Sequence, residues 1–401
     1  MMLTPDANYT MQKTIFQIAL FLLTCACAGL PLVAEPPHLY GALQMKPANA
    51  GQTYAAGMRV ATVGLGWREA EPERGKWNAD YFESIRQNIS AFRMAGFQIM
   101  LDFGFQYAPL WVANIPNALY VNQYGDSYRA EKSGADSYNA VFCREVRETQ
   151  ERYVKKVFEE LGTNFGWVRL GWGYYGELNY PPANKNRINT YWAFDDFAQG
   201  KVPGLPDGIL PSPVPGWLPG TASDNHASAR SFVNWYLDSH KNWHDWQIKT
   251  VRKFFKGKLC MLYPSAGLAA GQLEEAIATD LAGTSVPERN KKVQSGHDFE
   301  RLILGIADPN VIAYGTWIDA ESKYYDDRST NPKSWSPIKL LAELAHSNPL
   351  HLDVWGENTG RADRRLMELN FERMRDNHLI GIVWAFEPDL FGGKYATLED
   401  Y

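Results

Sequence analysis

Trp167–Pro182 reads WVRLGWGYYGELNYPP. A short apolar run, WVRLGW, leads straight into glycines and tyrosines and ends on one carboxylate, Glu177, before two prolines. A run of this length bounded by Gly and Pro reads as a buried strand. The same form recurs in HLYGALQM (38–45), RVATVGLGW (59–67), FQIMLDFGF (97–105), KLCMLYPS (258–265), VIAYGTWIDAE (311–321), LHLDVWGEN (350–358) and LIGIVWAFE (379–387). With WVRLGWGYYGE (167–177) that makes eight. Between them lie amphipathic stretches such as YFESIRQNISAFRMAG (81–96), VRETQERYVKKVFEELG (146–162) and RRLMELNFERMRDN (364–377). Strands alternating with helices imply parallel strands joined by crossovers, and eight such units predict a closed (β/α)8 TIM barrel of one catalytic domain. The gap from Asn179 to Ala227, with VPGLPDGILPSPVPGWLPG (202–220), reads as a long loop insertion after strand 4. Loops at that end of a barrel carry its site, so the insertion is expected to form a cleft wall or lid.

The balance of 45% hydrophobic and 21% charged residues is that of a globular protein. The formal net charge is −5 and no long basic run occurs. A phosphate backbone finds no positive face here, which argues against nucleic-acid binding. Residues 1–34 read as an export signal. Lys13 precedes TIFQIALFLLTCACAGLPLVAE (14–35), an apolar core followed by small residues, with cleavage sites after Ala28 or Ala34. The expectation is a secreted or periplasmic domain over 35–401, with a membrane or lipid anchor as the rival reading. No later run is apolar for long enough to span a bilayer. Two of the four cysteines lie in the signal, and Cys260 in KLCMLYP reads as a core thiol, so no disulfide framework is expected. No CxxC pattern occurs. His240 and His244 in HKNWH stand one helical turn apart without the Glu of a zinc-protease motif, and read as helix-surface histidines.

Strand ends are where a barrel places chemistry. Glu177 ends run 4 and Glu357 ends run 7, roughly across the mouth from each other. Two facing carboxylates are the minimal apparatus of glycoside hydrolysis, provided their surroundings keep one of them protonated. Asp102, Asp319, Glu321, Glu387 and Asp389 also stand at strand ends and compete as ligands or supports. Aromatic residues make up 13% of the chain, many beside Gly, Asn, Asp and Glu, as a sugar-stacking surface requires.

AAGMRVATVGLGWREAEPERGKWN (55–78), followed by APLWV (108–112), resembles the opening of clan A (β/α)8 glycoside hydrolases, especially the β-galactosidase type. That resemblance implies an acid/base at the end of strand 4, Glu177, and a nucleophile at the end of strand 7, Glu357. The chain departs from the clan pattern in having Gly176, not Asn, before Glu177. GELNYP (176–181) is similar to the Gly-Glu-x-x-Tyr-Pro of β-amylases, with weaker echoes in YWAFDDFAQ (191–199), WGENTGRAD (355–363) and LFGG (390–393). The β-amylase resemblance implies an inverting enzyme whose general base is Asp319 or Glu321. The flexible-loop and Glu-Met signatures of that family are absent.

The sequence therefore predicts an exported glycoside hydrolase acting on an oligo- or polysaccharide by retention, with Glu177 as acid/base and Glu357 as nucleophile. Trp67, Trp111, Trp172, Tyr175, Trp317, Trp355 and Trp384 are expected to stack on sugar faces. Arg59, Asp102, Asn179 and Asn358 are expected as polar contacts. Neither metal nor organic cofactor is required. The rivals are the inverting enzyme using Glu177 with Asp319 or Glu321, and a carbohydrate-binding barrel without catalysis.

Overall fold

Residues of each apolar run alternate between two buried environments, which is why the runs read as nearly continuous hydrophobic stretches. The structure is a computed structural model and describes residues 38–183, 189–283 and 287–401. The export segment, 1–34, lies outside the described residues. Residues 38–401 form one unit. Eight parallel strands close in chain order: β1 (Leu39–Ala42), β2 (Val60–Gly64), β3 (Gln98–Asp102), β4 (Trp167–Leu170), β5 (Lys258–Tyr263), β6 (Val311–Gly315), β7 (Val354–Glu357) and β8 (Gly381–Trp384). β8 pairs back onto β1 from Leu39↔Gly381 to Ala42↔Trp384. This is the predicted barrel, and each strand lies within its predicted run. The strands are shorter than the runs because the chain leaves the pleat at glycine: β4 stops at Leu170, and Gly171 takes φ 141°.

Two interleaved cores follow from the alternation. Outward residues such as Ala61, Leu101, Val168 and Met261 pack against the helices. Those helices present matching stripes: Ala79–Met94 buries Phe82, Ile85, Ile89 and Phe92 at helical spacing. Caps start several of them, with Asn78, Ser336 and Asp363 side chains accepting from the amides of Tyr81, Lys339 and Leu366. Inward residues Val60, Met100, Trp167, Cys260, Leu262, Ile312, Tyr314, Trp355 and Val383 fill the barrel. At its centre Trp167 and Trp355 meet edge to face, with centroids 5.1 Å apart.

One inward position further along β3, β4 and β7 the filling turns polar. Asp102, Arg169 and Glu357 follow Met100, Trp167 and Trp355 on the same faces. Asp102 and Arg169 are register partners across β3 and β4.

The insertion after β4 does two things. Asn179, Tyr180 and Pro182 reach the barrel mouth. Its later part packs on the helix Ala227–Arg252, where Tyr191 meets Phe232 and Tyr236, so most of it is a helix cover and not a cleft wall. The reading of the two histidines is corrected too, for both lie on the buried stripe of that helix. His240 and His244 are wholly buried, His240 stacked on Tyr180 and His244 bonded through Nε2 to the Tyr263 hydroxyl at 2.9 Å. Among the described residues no helix is long and apolar enough to cross a membrane.

Trp355, wholly buried against Trp167, is a load on stability. Trp355→Ala is expected to cost about 3–5 kcal/mol, read from the midpoint of urea unfolding. A substitution that left the midpoint in place and impaired only sugar binding would contradict this position for the ring.

Candidate active site

The C-terminal mouth of the barrel opens into a cleft of about 930 Å³. Asp102, Arg169, Glu177, Thr316 and Glu357 line it, with Tyr175 and Trp317 among the more exposed residues of its wall.

Glu357 reaches the cleft directly as the last residue of β7. Its Oε2 accepts the Tyr314 hydroxyl at 2.6 Å and Arg169 Nη2 at 3.1 Å. Both bonds converge on one oxygen, which leaves the Oε1 edge of the carboxylate for a reacting atom. Glu177 arrives differently. It stands seven positions beyond the end of β4, carried by a folded turn. Gln247, on the helix Ala227–Arg252, grips the start of that turn by accepting from the Gly171 amide at 2.8 Å and donating to its carbonyl at 3.2 Å. The Gly173 amide donates back to Glu177 O at 2.9 Å, and Leu178 N donates to Leu262 O at 3.0 Å, tying the turn to β5. Trp172 and Tyr175 both sit at left-handed φ, 57° and 58°. Gly176 takes φ 79°, and a Cβ there would lie 2.8 Å from the Gln106 side chain. The turn therefore calls for glycine directly before Glu177, a physical reason for the departure from the clan A pattern.

The two carboxylates are differently surrounded, Glu357 being buried and Glu177 half-buried. Burial raises the Glu177 pKa to about 7, helped by the Glu357 charge and opposed by the Thr316 hydroxyl and Arg169. Burial also raises Glu357, but the Arg169 cation and the Tyr314 hydroxyl pull it back. Glu177 is thus the member that keeps a proton near neutrality, and Glu357 the one supported as an anion.

Of the aromatic residues predicted to stack on sugars, only Tyr175 and Trp317 present open rings to the cleft, at 45% and 38% exposure. Trp67 is wholly buried, stacked on Tyr153 and bonded through Nε1 to Glu71 at 2.9 Å. Trp111 packs on Trp67 and donates to the Glu71 carbonyl. Trp172 turns away from the mouth into Phe103, Phe105 and Trp246. Trp355 lies inside the barrel, and Trp384 points outward against Tyr401. Arg59 precedes β2 and so lies at the opposite end of the barrel, where it donates to the carbonyls of Tyr54 and Met58.

The polar predictions divide in the same way. Asp102 and Asn179 line the cleft, with Asn179 Nδ2 3.5 Å from Glu177 Oε2. Asn358 lines it too, but its amide is engaged with both backbone groups of Ala385. Asp319 lies outside the cleft lining and accepts from the amide and hydroxyl of Thr359. Glu321 is exposed in a two-point pair with Arg365. Neither acid is placed to serve as the base of an inverting reaction at Glu177. Among the described residues no group of three His, Cys, Asp or Glu is placed to hold a metal ion.

Arg169 and Tyr314 escaped the sequence reading. The signal for Arg169 was present: it shares the inward parity of Trp167 in a strand buried throughout, and a charge there needs a partner. Thr62, Gln106 and His297 also line the cleft, each with buried polar atoms that no described group satisfies.

No protein-family model and no curated protein matches this chain. Solved structures do. The catalytic domain of β-amylase from Paenibacillus polymyxa superposes with a TM-score of 0.63 at 12% identity, covering 90% of this chain and 95% of that one. The β-galactosidase from the psychrophilic Marinomonas ef1 gives 0.54 at 13% identity, covering 87% of this chain and 54% of that one, so the chain spans about half its length. The chain thus has the barrel fold of glycoside hydrolases of the two kinds that its motifs resemble.

Protonated burial of Glu177 has a signed consequence for stability. A folded-state pKa of about 7 against an ordinary 4.5 means its contribution is present below about 4.5 and lost as pH rises through 7. Glu177→Gln, which needs no proton, is expected to melt higher than the wild type, with the gap widening from pH 4.5 to 8. A gap independent of pH would show that Glu177 does not titrate there.

Proposed function

We propose that this chain is an exported glycoside hydrolase that cleaves an oligo- or polysaccharide with retention of configuration. The observation carrying the proposal is the unequal pair on the cleft floor, with Glu177 held protonated by burial and Glu357 backed by a cation and a phenol. In this reading Glu177 gives its proton to the oxygen of the departing sugar while Glu357 Oε1 attacks the anomeric carbon. The glycosidic C–O bond breaks and an ester to Glu357 forms. Glu177, now ionised, takes a proton from water as that water attacks the same carbon and releases Glu357. Tyr175 and Trp317 serve as stacking faces for sugar rings. Asp102, Asn179, Thr62, Gln106 and His297 offer polar atoms to hydroxyl groups. Burial lowers the His297 pKa to about 3, so its imidazole is neutral.

A panel of aryl glycosides and polysaccharides should yield at least one substrate. Its kcat/KM should follow a bell in pH, falling above about 7 as Glu177 loses its proton and falling in acid as Glu357 gains one. Glu177→Gln should lower kcat by roughly 10²–10⁴-fold and abolish the alkaline limb. Glu357→Ala should be inactive and regain turnover with azide, releasing a glycosyl azide. Proton NMR of the first product should show the substrate anomer. An inverted anomer would instead make Glu357 a base for water, in keeping with the GELNYP motif. Binding without turnover across the panel would leave a carbohydrate-binding barrel.

A further inference from the structure

Arg169 does not belong to Glu357 alone. Its guanidinium lies between two carboxylates, with Nη2 3.1 Å from Glu357 Oε2 and Nε 3.5 Å from Asp102 Oδ2. The side chain is 7% exposed, so solvent screens neither contact strongly. Asp102 is held in place independently, because its Oδ1 accepts the Gly104 amide at 2.9 Å. Gly104 in turn sits at φ 67°, where a Cβ would strike the Leu65 carbonyl at 1.7 Å, so this corner of the β3 loop is fixed by backbone. Asp102 and Arg169 are also register partners. The distance between them is therefore set by the barrel and not by a mobile side chain.

We propose that Asp102 is a positioning residue that acts on Glu357 by sharing Arg169 with it, and so sets the pH at which Glu357 becomes an anion. The inference rests on the reading of Glu357 as the reacting carboxylate and goes beyond the sugar-contact role that a cleft aspartate suggests. Two carboxylates drawing on one guanidinium each receive part of its charge, and each repels the other. Asp102 thereby keeps Glu357 less acidic than Arg169 alone would make it. The remaining groups facing this cluster are Glu177 beyond β4, Tyr314 on β6 and the Cys260 thiol on β5, while Tyr107 lies near Asp102. Burial keeps the thiol and the phenols neutral in the working range. Asp102, Glu177, Glu357 and Arg169 are then the charges that decide the balance.

The test needs no substrate. Thermal unfolding of the full chain is followed from pH 3.5 to 8 beside Glu357→Gln, and the difference in Tm traces the titration of Glu357. Its contribution is present in acid and lost as pH rises through its folded pKa. Asp102→Asn keeps an oxygen for the Gly104 amide and removes the charge. It should move the midpoint of that loss down by on the order of one pH unit. Asp102→Ser, also uncharged, is the second variant should the amide perturb folding. Arg169→Gln should move the midpoint up. With the substrate from the glycoside panel, the acid limb of kcat/KM should move in the same directions. A midpoint unmoved by both Asp102 variants, with KM raised, would make Asp102 a sugar ligand only and overturn the proposal. Loss of the hydrolase reading, seen as turnover that survives Glu357→Ala, leaves the unfolding result standing, so the two failures are separable.

Discussion

A guanidinium inside a barrel is the constraint around which the upper half of this molecule is arranged. Arg169 is buried, and an unpaired charge there would cost several kcal/mol. Asp102 and Glu357 answer it from the two flanks, and the Tyr314 ring lies beneath the cation at 5.1 Å. These groups sit on four different strands, so the cluster exists only once the barrel is closed. Removal of one member leaves another charge buried without its partner. The apolar floor formed by Trp167 and Trp355 keeps water from approaching from below, which strengthens each interaction above it.

The second constraint is the turn from Gly171 to Glu177. A strand end delivers a side chain with the direction of the strand, which suffices for Glu357. Glu177 has to reach the same cleft from beyond the end of β4, and the chain does so with left-handed residues at Trp172, Tyr175 and Gly176. Non-glycine residues at positive φ are costly and persist where the surroundings fix them. Here Trp172 is fixed by three aromatic neighbours, and the turn is clasped by Gln247 on one side and Leu262 on the other.

These two constraints explain what the sequence could reveal. All eight strands were legible because strands buried on both faces leave continuous apolar runs. Glu177 and Glu357 were legible because a carboxylate after such a run is conspicuous. Ring location was not. A Trp at a strand end reads alike whether it faces a cleft, as Trp317 does, or fills the barrel, as Trp355 does. Only the inward or outward parity of the strand, and then the register, tells them apart. Arg59 drew attention as a cation in a strand run, yet it precedes the strand and so falls at the wrong end. Arg169 drew none, although its parity with Trp167 placed it inside. The histidines were misread because their polarity suggested a surface, whereas their spacing with Tyr236, Trp243 and Gln247 places them on the buried stripe of the helix.

The surroundings that separate the two acids are likewise long-range. Two aromatic neighbours of Glu177 in sequence do little to shield it, for Trp172 turns outward and Tyr175 stays nearly half exposed. Its nearest ionic influences come from β7 and from Arg169 on β4. Glu357, in contrast, sits on the strand next to Tyr314 and reaches across the barrel to Arg169. The fold thus gives two chemically identical side chains unequal partners by a difference in how the chain delivers them. The one at a strand end bonds the cation directly and is supported as an anion. The one carried by the turn has no direct bond to the cation, and burial pushes it toward its protonated form. An arginine at an inward β4 position and a turn of this length after it thus give the two carboxylates that line one cleft unequal surroundings.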